Sequence, residues 1–167
     1  MALSGVGVKR RGMHSYTEQD LLAANVNPKT GLATDYLNLF NEAIMLFEMG
    51  LDMPDMAEEL TEWQPHGYVE HFEKSGFEMK DVVVAAYAEA QPVVRAAFDA
   101  CCERAQAAFA SSIDILLSSN LHDEPARADL DHRLAEMKHM VSEMDSHIHG
   151  RAAVEDSDAQ TAVDALF

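Results

Sequence analysis

An all-α fold, an antiparallel bundle of four to six helices with disordered termini, is what this sequence predicts. Three observations lead there. Apolar residues recur three and four positions apart over long stretches, the period of a helix face. Strand signals are nearly absent: the only β-branched run, Val82 to Val84, lies within an alanine-rich helical pattern. The connections between helical stretches are short, which favours antiparallel neighbours. The expected organisation is a flexible basic arm over 1–14, a helical bundle domain over 15–149 and a flexible acidic tail over 150–167.

The elements follow in chain order. Ser15 and Glu18 have capping-box spacing, so a first short helix starts near Ser15 and buries Leu21, Leu22 and Val26. Asn25 to Gly31 is turn chemistry. Thr34 or Asp35 opens a central helix that stops at Gly50, the usual C-terminal punctuation. Its apolar residues, Leu37, Phe40, Ile44 and Phe47 with Leu39, Ala43, Leu46 and Met49, wrap most of the cylinder. A helix apolar on most sides is expected in the middle of a bundle. Asp35, Asn38, Asn41 and Glu42 share the remaining seam, because positions three and four apart lie on one face. If buried, that seam is a structural network or a binding site.

Pro54 fits the first turn of a short helix through about Trp63. Pro65 and Gly67 break the chain before another, Tyr68 to Ser75. A helical pattern runs from Glu78 to Glu89, and Gln91-Pro92 marks a kink or new start. A long helix from about Val93 to Ser119 carries the stripe Val94, Phe98, Cys101, Ala105, Ala108 and Leu116. After a turn at Asn120 to Pro125, the last long helix runs from about Ala126 to His149. Its stripe of Leu130, Leu134, Met137, Val141, Met144 and Ile148 follows strict 4-3-4-3-4 spacing, a seam for one partner helix within the bundle or across a dimer.

Composition narrows the function. The 167 residues suffice for one domain with a core. A formal net charge of −17 argues against nucleic acid and anionic membrane as partners, since both need a basic face. It suits a basic protein partner or a cation. No run of 18 apolar residues exists, so no transmembrane helix is expected. Lys9, Arg10 and Arg11 lack an apolar h-region, so the start does not read as an export signal. Cys101 and Cys102, the only cysteines, are adjacent in a helix and do not bridge easily. Free thiols point to a reducing, cytoplasmic setting.

Candidate chemistry is sparse. Metal sites in helical bundles need Glu and His projecting inward from different helices, typically as Glu-x-x-His pairs. Glu136-Met-Lys-His139 is the one literal match. It shares a face with His132, Glu143 and His147, opposite the apolar stripe and so expected in water. The inward alternative combines Glu42, with Asn38 or Asn41, and His71, with Glu70; that donor set suits zinc, iron or manganese. Against it, Glu42 and the asparagines can equally satisfy backbone groups of nearby loops. Methionines beside histidines, as at Met137, Met140, Met144 and His139, suit copper(I), but Met137 and Met144 are already explained as core. His147 and His149 would bind a divalent ion only incidentally. Cys101 has Asp99 and Glu103 nearby, which raise a thiol pKa and disfavour a nucleophile. No glycine-rich phosphate loop follows a strand.

Two resemblances add expectations. The string His71-Phe-Glu-Lys74-Ser-Gly76 resembles the His, Lys and Gly trio of histidine-phosphotransfer domains, which implies a phosphoacceptor at His71. It departs from that pattern by one position at the Gly and by the shortness of the helix. The strings Gly31-Leu-Ala-Thr-Asp-Tyr-Leu-Asn38, Phe40-Asn-Glu-Ala-Ile-Met-Leu46 and Glu70-His-Phe72 resemble a group of small uncharacterised helical proteins of alphaproteobacteria. That resemblance covers about a third of the chain and implies a bacterial cytoplasmic protein without implying an activity.

The leading expectation is a non-enzymatic interaction or regulatory protein that binds another protein and itself. The α-helical stripe from Leu130 to Ile148, the methionine-rich turn from Met49 to Met56 and the acidic surface are its expected instruments. The runner-up is a protein binding a divalent transition metal through Glu42 and His71. The third is phosphotransfer through His71.

Overall fold

The computed structural model describes residues 16–151. Among these are seven α-helices: α1 (Glu18–Ala23), α2 (Leu37–Gly50), α3 (Pro54–Glu58), α4 (Tyr68–Lys74), α5 (Lys80–Glu89), α6 (Pro92–Ser118) and α7 (Glu124–Ile148). A two-stranded antiparallel hairpin, β1 (Val26–Asn27) and β2 (Leu32–Ala33), joins α1 to the rest. Single 3-10 turns lead into α2 at Thr34–Tyr36 and follow α3 at Glu59–Glu62. The fold is all-α apart from that small hairpin. The arm 1–14, Ser15 and residues 152–167 lie outside the described residues.

α6 and α7 form the backbone of the bundle. Pro92 sits in the first turn of α6, where a missing N–H costs nothing. The Asp123 carboxylate caps α7, accepting from the Ala126 N–H at 3.0 Å. The two helices run antiparallel as a hairpin, and α2 packs across both. Phe40, Phe47, Phe98, Phe109, Leu130, Met137, Met144 and Ile148 close the core between them. Phe40 meets Phe109 edge-on at 5.0 Å.

The α2–α3 corner depends on a glycine. A Cβ at Gly50 would stand 2.8 Å from the Ala57 Cβ and 2.9 Å from its Cα, so α3 folds back onto α2 only because that atom is absent. The aromatic side of the core is pinned by two polar bonds, one buried and one part-buried. The Ala33 N–H donates to the Tyr68 hydroxyl at 2.7 Å, and the Trp63 indole N–H donates to the Leu39 carbonyl at 2.8 Å. At the opposite end the buried Thr30 hydroxyl donates to the Ile148 carbonyl, fastening the hairpin turn to the last turn of α7. The Lys29 side chain lies against Gly150.

Several expectations are corrected here. α1 starts at Glu18, not Ser15, because Thr17 makes the capping box with Asp20. Of its expected buried face, Leu21 is half-buried, Leu22 is 56% exposed, and Val26 is buried as part of β1. The segment from Asn25 to Gly31 is not only turn: Asn25 (φ 62°) precedes the first strand of the short hairpin and Gly31 (φ 79°) closes the turn before the second. α2 does not run through the middle of the bundle. It buries one side and leaves the other in solvent.

Candidate functional site

The α7 stripe is spent within the chain. Leu130, Leu134, Met137, Met144 and Ile148 are buried and Val141 is half-buried, all packed in the core that α7 shares with α6 and α2. The partner helices of this seam are therefore the chain's own. The opposite face of α7 meets water as its pattern requires. His132, Glu136 and His139 are exposed, and the pairs His132–Glu136 and His139–Glu143 stand 3.8 Å apart.

The polar seam of α2 is not a buried network. Asn38, Asn41 and Glu42 are exposed and Asp35 is half-buried, with the Asn25 side-chain amide donating to its carboxylate at 3.4 Å. Met45 stands four positions after Asn41 on the same face and is 53% exposed. The face continues into the next turn. The Met53 N–H bonds the Met49 carbonyl and the Met56 N–H bonds the Met53 carbonyl, both at 2.9 Å. Met45, Met49 and Met53 thus form one ridge along α2 and its closing turn, with Met53 48% exposed and Met49 half-buried, while the half-buried Met56 belongs to α3, which folds back.

Acidic groups border that ridge. No Lys, Arg or His occurs between Lys29 and His66, whereas Glu42, Asp55, Glu58, Glu59 and Glu62 are exposed there. None of these five has an ion-pair partner among the described residues. On the flank facing α7 the situation differs: Lys138 pairs with Glu48 at 2.7 Å and Arg127 with Asp52 at 2.9 Å.

His71 lies elsewhere, in the middle of α4, in a cluster that also includes His66. The His66 Nε2 and His71 Nδ1 are 3.1 Å apart. The ring centres are 5.3 Å apart, so each sits nearly in line behind its own nitrogen and the rings meet end to end. One imidazole donates to the other, and their lone pairs do not converge on a shared metal position. The Tyr36 hydroxyl donates to the His66 carbonyl at 2.8 Å and accepts from the Gln106 amide at 3.1 Å. The Tyr36 ring meets His71 edge-on at 5.5 Å. Partial burial lowers the His71 pKa, the neighbouring His66 adds to this, and Asp35 opposes it. His66 sits in a Pro65/Gly67 break, outside any periodic pattern, so nothing in the sequence singled it out.

No hydrogen bond or ion pair joins Glu42 to His71 among the described residues. Among the described residues no three or more His, Cys, Asp and Glu gather as metal ligands. Glu70, the other acid considered for that set, pairs with Lys74 at 3.0 Å, and this hydrogen bond lowers its pKa. The thiols are held protonated. Burial raises both the Cys101 and Cys102 pKa, and nearby acids push the same way. The Tyr87 phenol, donating to Asp99 at 2.7 Å, is pushed up to about 12, chiefly by burial and then by that carboxylate. Burial likewise keeps Tyr36 and Tyr68 neutral.

Comparison with protein-family models, with curated proteins and with solved structures gives no match. The fold and this surface define a class, an acidic helical domain with an outward methionine ridge among the described residues. No helix among the described residues is long and apolar enough to cross a membrane.

Proposed function

We propose that this protein is a non-enzymatic interaction protein that binds another protein through the outward face of α2 and the turn into α3. One observation carries the reading. Met45 and Met53 stand about half exposed on one ridge, while Met137 and Met144 are buried in the same molecule. Methionine side chains adapt to varied partner shapes, which makes them common at binding surfaces. The ridge replaces the α7 stripe as the proposed contact, because that stripe already packs inside the chain. Binding is better supported than metal capture by Glu42 and His71, because no three or more candidate ligands gather among the described residues. It is also better supported than phosphotransfer, because α4, which carries His71, is only seven residues long.

The test is site-specific photo-crosslinking in the native host. A crosslinking amino acid replaces Met45 in one variant and the exposed Asp114 of α6 in another. A discrete adduct from position 45 alone is expected. The same products from both positions, or none from 45, would overturn the reading. Sedimentation velocity then distinguishes a second copy of this chain from a different protein.

A further inference from the structure

Resting on that reading, we infer that the occupant of the ridge is a basic amphipathic helix of another protein. The apolar part of the site is linear. Met45, Met49 and Met53 step along α2 and its closing turn over eight residues, about 12 Å at helical rise, before α3 folds back, which matches two turns of a partner helix laid alongside. Its apolar stripe at i, i+4 and i+7 would meet the methionines.

Charge selects the sign of the flanks. Glu42, Asp55, Glu58, Glu59 and Glu62 border the ridge without a cation among the described residues. A neutral or acidic helix would leave them facing apolar or like-charged surface at a cost. Lys and Arg on the partner relieve it. The chain itself uses this solution on the other flank of α2. There α7 lays Lys138 against Glu48 and Arg127 against Asp52 while its apolar stripe packs inward. The proposed partner repeats on the open flank what α7 does on the closed one. A groove beside the start of α3 is lined by Pro54, Ala57, Leu117 and Leu121 together with the polar Glu58 and His122.

The probe is an 18-residue synthetic Leu/Lys amphipathic helix carrying a fluorophore, titrated with the full-length protein and read by anisotropy. A peptide of the same composition scrambled to remove the apolar face, and a Leu/Glu version, serve as controls. Saturable binding of the amphipathic Leu/Lys peptide alone is expected. It should weaken about tenfold when salt rises from low to physiological strength and beyond. Met45→Asp with Met53→Asp should weaken it at least about tenfold, the scale of one lost central anchor. Glu58→Gln, Glu59→Gln and Glu62→Gln together should flatten the salt dependence. Thermal unfolding checks that each variant is folded. Both methionine positions are exposed, and Met45→Gln with Met53→Gln supplies a milder pair.

Equal binding of the scrambled peptide, or undiminished binding by the methionine variants, would overturn the inference in favour of plain charge attraction. A marked gain in affinity after Lys9→Gln, Arg10→Gln and Arg11→Gln would overturn it differently, making the chain's own basic arm the occupant. Failure of the peptide alongside a discrete crosslink from position 45 would end this inference but keep the interaction reading. Failure of both would end both.

Discussion

Two methionine-bearing rows share one molecule and meet opposite fates. On α7, Met137 and Met144 are 1% and 0% exposed. On α2 and its following turn, Met45 and Met53 are about half exposed. Residue type and helical spacing are alike in both rows. What differs is the neighbour. The 27-residue α6 runs beside α7 along its length. The outward side of α2 has only the short α3 and a 3-10 turn on one flank. An apolar row is core where a long helix covers it and surface where none does.

The comparison can be broken from the α7 side most forcefully. Met144→Asp places an unpaired charge in the closed row and should destabilise by more than about 4 kcal/mol, enough to leave little folded protein in chemical denaturation. Near-native stability would mean that the row is not closed. Met137→Ala should cost about 2–5 kcal/mol by the cavity it leaves. Gly50→Ala tests the hinge between the rows. The added Cβ collides with Ala57 backbone and should cost about 1–3 kcal/mol, while weakening any ligand of the ridge by displacing Met53.

Smaller effects sharpen the contrast. The His71 pKa is lowered in the folded chain, so the unfolded chain binds more protons as pH falls. Its contribution is complete above the ordinary histidine value near 6.5 and is lost as pH falls from there through the lowered folded value. A second proton also removes the acceptor in the His66–His71 bond. A shallow fall in Tm across that window is expected, flattened by His71→Gln. An identical slope in the variant would assign the effect to other groups. Met45→Asp, last, should change stability by no more than about 1 kcal/mol, because its side chain is already about half exposed.

Much of the fold was legible because it rests on local rules. The 4-3-4-3-4 stripe of α7, Pro at the start of α3 and α6, and Gly50 at the end of α2 all landed within a residue or two. The orientation of α2 was not legible. Met45 and Met49 count as apolar in any pattern, yet methionine tolerates exposure, so an amphipathic helix read as one apolar nearly all round. Once Met45 is placed with Asn38, Asn41 and Glu42 on the outer face, the seam needs no buried partner. The hairpin was missed because strands of two residues carry no alternation to detect. The Tyr36–His66–His71 cluster joins positions 36, 66, 71 and 106 through loops, a juxtaposition that no single-helix period encodes.

The Thr30 hydroxyl on the Ile148 carbonyl joins residues 118 positions apart. It turns an open row of helices into a closed loop of chain, with the hairpin as its clasp. Opening that clasp frees the last turn of α7 and the Asn27–Gly31 turn in one event. Amide hydrogens at these two distant places in sequence should therefore exchange at a common rate, slower than α1 and faster than the α6–α7 core.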